Sequence, residues 1–165
     1  MSGRSASVAI LVGGFIAGAL DIAYAIVFSG YRGISPEHVL QGVASGVLGA
    51  GAYAGGLKTE AWGLALHFLL AFLFATIFYC ASRFLPVLVR HAVASGVIFG
   101  LFVFAVMNFI VLPLSAYPYP IRFSWLGSGT NLLSHMFLFG VPIAIAVRKA
   151  SLPAFTNGAQ AINRR

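Results

Sequence analysis

Four long apolar runs, near 7–29, 61–82, 92–114 and 129–147, fill most of the chain, and each is interrupted by one strongly polar residue: Asp21, His67, Asn108 and His135. Each run has roughly the ~20 residues a helix needs to cross a bilayer. Small and polar residues recur at helical spacing within them. Gly14, Gly18 and Asp21 share one face of the first run, and Gly63, His67, Ala71 and Ala75 make a four-residue stripe on the second. Gly96, Gly100, Phe104 and Asn108 repeat that stagger on the third, and Ser128, Asn131 and His135 form a polar stripe on the fourth. Small-xxx-small faces let helices approach closely, so these stripes predict inward faces. Pro142 predicts a kink further along the fourth run.

Between the first two runs, "SPEHVLQGVASGVLGAGAYAGG" predicts a helix over about 36–50. Ser35 is a good N-cap, Pro36 suits the first helical position, and Glu37 favours the positive helix start. The segment is too glycine-rich for a convincing span and too apolar for water. The expectation is a helix lying in or dipping into the outer membrane face, packed through Gly42-xxx-Gly46; the alternative is a fifth span. The glycines of "GAGAYAG" lack the spacing and the preceding strand of a nucleotide-binding loop. Residues 113–125, "PLSAYPYPIRFSW", carry three prolines and cannot form a regular helix. Trp62 and Trp125 fall where an aromatic belt would place them. The fold class is therefore an all-α integral membrane protein: a four-transmembrane-helix bundle with an extra interfacial or re-entrant helix after the first span.

Composition supports one membrane domain over 1–165. The chain is 60% hydrophobic and 8% charged, with mean hydropathy +0.96, whereas soluble domains carry about 25% charged residues. The net charge of +7 would point to nucleic acid in a soluble protein. Here the basic residues sit at span ends and serve orientation, so no nucleic-acid partner is expected. Arg4, Arg83, Arg90, Arg148, Lys149, Arg164 and Arg165 share one side; Arg32, Lys58 and Arg122 share the other, with Glu37 and Glu60. That asymmetry predicts cytoplasmic termini and a short basic C-terminal tail over 148–165. The expected partners are the lipid bilayer, anionic headgroups near the basic residues, and a second copy through the Gly-xxx-Gly faces. The single Cys80 excludes an intramolecular disulfide and is read as a small packing residue. Arg4, the first apolar run and "AYA" at 23–25 have the outline of a secretory signal, but the run is long and Asp21 interrupts it, so an uncleaved first span is expected.

A polar group at the centre of a span costs up to ~2.5–3.5 kcal/mol on insertion scales. Counting residues inward from the outer span ends places Asp21, His67, Asn108 and His135 at depths of roughly 8–12 Å, one layer in the outer third of the bilayer. A faint repeat, "LALHFLL" at 64–70 and "LLSHMFL" at 132–138, would set His67 and His135 facing each other. Tyr24 and Asn131 join the layer as candidate binding residues, and Glu37, His38 and Gln41 are candidates for a lid over it. The expected function is an outer-leaflet polar pocket that binds or passes a small solute or protons; the alternatives are a structural or assembly subunit whose hydrogen bonds only pack helices, a metal site at Asp21, His67 and His135, or a haem between the two histidines. No cofactor is expected as the main reading, and no catalytic residue is assigned.

The segments "GALDIAYAIVF" (18–28), "LQGVASGVLG" (40–49), "LALHFLLAFLFATIFYCASRFLP" (64–86) and "MNFIVLPLSAYP" (107–118) resemble a group of small four-span bacterial inner-membrane proteins without assigned activity. A thinner likeness, in "HFLLAFLFATIFYCASRFLP" and "VLPL", is to the YagU-like inner-membrane proteins. The resemblance implies a bacterial inner-membrane location and, through a loose link to acid tolerance, a proton or envelope theme.

Overall fold

The structure, a computed structural model, describes residues 3–151, with side chains from residue 6. Arg4, Arg164 and Arg165, three of the basic residues used for orientation, lie outside the described side chains, as does the tail beyond Ser151. Every regular element among the described residues is helical. We label them α1 (Gly3–Tyr31), α2 (Pro36–Leu48), α3 (Gly56–Phe84), α4 (Val87–Arg90), α5 (Ala92–Leu114) and α6 (Trp125–Ser151), with a 3-10 turn over Gly49–Ala54.

Four of these helices are long and apolar enough to cross a membrane: Ala6–Tyr31, Gly56–Phe84, Ala92–Leu114 and Trp125–Ser151, with mean hydropathies of 2.1, 2.2, 2.6 and 1.6. Their outward faces carry large apolar side chains, including Phe15, Leu69, Ile98 and Phe109, each more than half exposed. Their inward faces carry Ala17, Ala71, Ala75 and Ala144, all fully buried, together with Asp21, Ser134 and His135. Large apolar groups outside and polar groups inside invert the soluble pattern.

Capping residues set the boundaries. The Ser35 hydroxyl accepts from the His38 N–H at 3.4 Å, as expected of an N-cap, and α2 ends where Gly49 adopts φ +62°. With 13 residues, α2 is about 20 Å long and falls short of a ~30 Å hydrocarbon core, so the fifth-span alternative is not realised. The second long helix starts at Gly56, not 61, because nothing interrupts it before that glycine, at φ +53°. The fourth starts at Trp125, not 129, because Ser124 accepts from the Gly127 N–H at 3.0 Å and caps it there.

Both α5 and α6 contain a π-helical segment, Met107–Val111 and Ser134–Gly140. Each lies just before a proline, Pro113 or Pro142. A proline ring clashes with the carbonyl four residues back, which here belongs to Phe109 or Leu138 inside the π segment. The distortion expected at Pro142 takes that form. It also resets the inward face of α6: Ser134 and Phe139 are buried together, as are His135 and Gly140, each pair five residues apart as the i→i+5 register requires.

Helix α1 packs on α3 and α6, α5 packs on α6, and α2 packs on α3. Gly14 and Gly18 receive the rings of Phe72 and Phe68 of α3, while Gly13 approaches Ala146 of α6. Gly96, Gly100 and Gly140 bring the backbones of α5 and α6 into direct contact. The Gly14-xxx-Gly18 and Gly96-xxx-Gly100 faces, expected to permit oligomers, are thus occupied within the chain. Gly42-xxx-Gly46 does not pack α2 as expected. Gly63 of α3 makes that contact, since a Cβ there would strike the Leu40 carbonyl, and Gln41, Ala44 and Ser45 are the buried side of α2. Cys80 is exposed on the apolar outside of α3 and is not a packing residue. Between α3 and α5, Phe99 sits edge-on to Phe74 and Phe78, and Phe74 meets Phe139 in the same way. Aromatic rings fill that gap toward the Phe84 end of α3. Toward the other end, where α2 and the 115–124 loop lie, the gap stays open.

Candidate functional site

Three of the four residues of the expected layer, Asp21, His67 and His135, come together around the contact of α1 with α6. Asp21 Oδ1 accepts from the Ser134 hydroxyl at 2.8 Å and lies 3.8 Å from His135 Nδ1. That nitrogen donates to the Asn131 carbonyl at 2.9 Å, because a carbonyl can only accept. His67 Nε2 likewise donates to the Gly18 carbonyl at 2.8 Å, tying α3 to α1. Asp21, His67 and His135 line one cavity of about 40 Å³, closed by Leu70, Phe74, Met107 and Phe139 among others. The two histidines of the faint repeat do share that space.

Other members of the layer are turned elsewhere. Asn108 sits at the right level, next to Met107, but its side-chain amide donates to the Phe104 carbonyl of its own helix at 2.9 Å. Asn131 contributes its backbone carbonyl to His135 and does not line the cavity. The Tyr24 hydroxyl donates to Thr130 Oγ1 at 2.7 Å, making a second link between α1 and α6 in place of a bond within the Asp21 cluster. Ser134 and Thr130, which complete these two links, were not among the predicted site residues. Among the described residues no buried side-chain nitrogen or oxygen lacks a partner, and no three His, Cys, Asp or Glu side chains gather closely enough to hold a metal ion. The cavity is far below the ~300–1,000 Å³ of pockets that hold cofactors and other small molecules.

The predicted lid does not cover the layer, and none of its three residues lines the 40 Å³ cavity. Gln41 Nε2 reaches Glu60 Oε1 at 3.5 Å across the α2–α3 contact. His38 lies against the Tyr53 ring with centroids 4.6 Å apart. Glu37 is exposed, and its carboxyl is held below its ordinary value of 4.5 by the Ser35 side chain and then by its own backbone N–H. That contribution to the helix start is present above the ordinary value and is lost as pH falls through the depressed one. α2 instead turns Val39, Gly42, Val43, Gly46 and Val47 toward the open gap, at spacings of three and four.

This gap is a groove of about 550 Å³; two shallower hollows, of about 520 Å³ at Leu11, Phe15 and Phe72 and about 320 Å³ at Phe123 and Trp125, lie on the outer surface. Leu66, Leu69 and Leu70 of α3 form one wall, and Met107, Val111 and Leu112 of α5 another. Ser115, Tyr117, Pro120, Ile121 and Arg122 of the connecting loop line its loop-side end. The Ala116 N–H donates to the Gly46 carbonyl at 2.9 Å and pins this loop onto α2. The Tyr119 ring contacts those of Tyr53 and Tyr117. Burial, reinforced by Tyr53 and Tyr119, pushes the Tyr117 phenol above its ordinary value of 10.0, so it remains a neutral hydrogen-bonding group at physiological pH. Leu70 and Met107 line both the groove and the polar cavity, so the two spaces share a thin apolar wall. Compared with family models, curated proteins and solved structures, the chain matches none, and the site is read from its own geometry.

Proposed function

We propose that the chain is a four-span membrane protein that binds the acyl chain of a membrane amphiphile in the groove between α2, α3 and α5. The polar layer beside the groove is the lock that keeps the bundle in register. The observation that carries this reading is the groove itself: apolar, concave, about 550 Å³, and bordered by few polar groups, as small-molecule sites are. Its α3 and α5 walls belong to helices long and apolar enough to span a membrane, which supports a ligand with a lipid chain. The 40 Å³ of the polar layer restricts that space to a species about the size of one water, which moves a solute to the groove next door.

A second reading adds proton handling to the layer and is favoured by the 3.8 Å separation of Asp21 and His135. His67 is the only other titratable group on that cavity, and α5 contributes Val103 and Met107 to it. The proposed location is a bacterial inner membrane with both termini cytoplasmic. Arg83, Arg90, Arg148 and Lys149 support that orientation by lying near the ends of α3, α4 and α6.

Gly46→Leu tests the binding reading. A Cβ at Gly46 has its nearest neighbour, Ser115 Cβ, at 3.8 Å, so the new side chain enters the groove without displacing backbone. The variant is expected to melt at or above the wild-type temperature, because glycine costs a helix about 1 kcal/mol relative to a good helix former. Delipidated wild type should gain stability as phospholipid is added, by about 2.7 kcal/mol at a hundred times the dissociation constant. Gly46→Leu should show no such gain. An equal response from both proteins would place the binding elsewhere.

A further inference from the structure

We infer that the groove selects an anionic phospholipid, with Arg122 at its mouth receiving the phosphate-bearing headgroup. The inference rests on the groove being a binding site and adds the class of its ligand. Arg122 is the one charged residue on the lining, and it is exposed, on the loop between the end of α5 and the start of α6. None of the described acidic residues, Asp21, Glu37 and Glu60, pairs with it; the single pair within ion-pair distance among the described residues is Asp21 with His135. Arg32, which approaches Gly127 at the start of α6, differs: its guanidinium lies 5.9 Å from the Phe28 ring centroid, and it does not line the groove.

The geometry matches the profile of a lipid. Met107, on the groove wall, lies seven residues inside the Leu114 end of α5, about 10 Å along the helix. The groove therefore runs from an apolar floor at Leu70 and Met107 to a cationic, hydrogen-bonding mouth at Tyr117 and Arg122. An acyl chain fits the first and an anionic head the second. A guanidinium binds phosphate oxygens bidentately, and a neutral phenol such as Tyr117 can donate to a third oxygen. A zwitterionic headgroup would bring its own cation toward Arg122 and gain less.

The test uses the full chain extracted from vesicles of equal parts phosphatidylglycerol and phosphatidylcholine, with bound lipid counted by native mass spectrometry. Wild type is expected to retain phosphatidylglycerol at least fivefold over phosphatidylcholine. Arg122→Gln should retain both in nearly equal amounts, and Arg32→Gln should behave as wild type. Lipid retained by Arg122→Gln with undiminished preference, or a preference abolished equally by Arg32→Gln, would overturn the headgroup assignment while leaving acyl-chain binding standing. No lipid retained by wild type, or equal retention by Gly46→Leu, would overturn both. A second copy filling the groove would appear as a lipid-free dimer that Gly46→Leu dissociates, and it too would overturn both.

Discussion

Gly100→Leu is expected to prevent α5 from docking on α6 and to be among the most damaging single substitutions in the bundle. A Cβ at position 100 would overlap the His135 carbonyl and crowd Met136 Cα at the same time. Both obstacles are backbone, and the opposing position, Gly140, is itself pressed against Gly96 and Gly100. Overpacking a well-filled interface costs typically ~1–3 kcal/mol when side chains can shift. With backbone in the way, the effect should reach or exceed the top of that range. Gly129→Leu, on the same α6 where a new Cβ meets nothing within 4 Å, should be neutral or mildly stabilising. Thermal unfolding in detergent compares the two, and equal effects would mean that the α5–α6 contact is not close packed.

The second large effect is expected at Asp21. Replacing it by alanine leaves the buried Ser134 hydroxyl, 3% exposed, without the acceptor that joins α6 to α1. An orphaned buried group costs ~1–3 kcal/mol, more than the ~0.6 kcal/mol that an interhelical hydrogen bond averages in one well-studied membrane protein. The double variant Asp21→Ala, Ser134→Ala should therefore recover part of the loss, since it removes both partners together. Asp21→Asn retains a side-chain oxygen for Ser134 and should stay close to wild type in stability and in lipid response. If Asp21→Asn folds normally yet loses lipid binding, the layer is part of the binding site and not merely the lock beside it.

The helices were legible because their signals are local and redundant. Ala92–Leu114 matches its apolar run to the residue, and Ser35 caps α2 as its hydroxyl predicts. The layer was legible in depth, because depth is a count along a helix: Asp21, His67 and His135 do converge. Direction was harder. Asn108 sits at the right level but turns back to Phe104, and Ser134, which no stripe had singled out, is buried next to His135 and bonded to Asp21. The groove left no motif. Its walls are ordinary leucines and valines, indistinguishable in composition from those that face outward. What defines it is the spacing of α3 and α5, set by phenylalanines on one side of the layer and unfilled on the other. The polar residues of α2, Glu37, His38 and Gln41, do not line the groove; Val39, Gly42, Val43, Gly46 and Val47 do.

The central claim, that an acyl chain occupies this groove, is tested most directly by photo-crosslinking. The full chain would be reconstituted in nanodiscs with a phospholipid carrying a diazirine on one acyl chain, and the adducts mapped by mass spectrometry. The account predicts adducts at Val43, Leu66 and Val111 that disappear in Gly46→Leu, while adducts on outward-facing Phe15 and Phe109 persist in both proteins. Labelling confined to outward-facing residues, or groove adducts unchanged by Gly46→Leu, would contradict it.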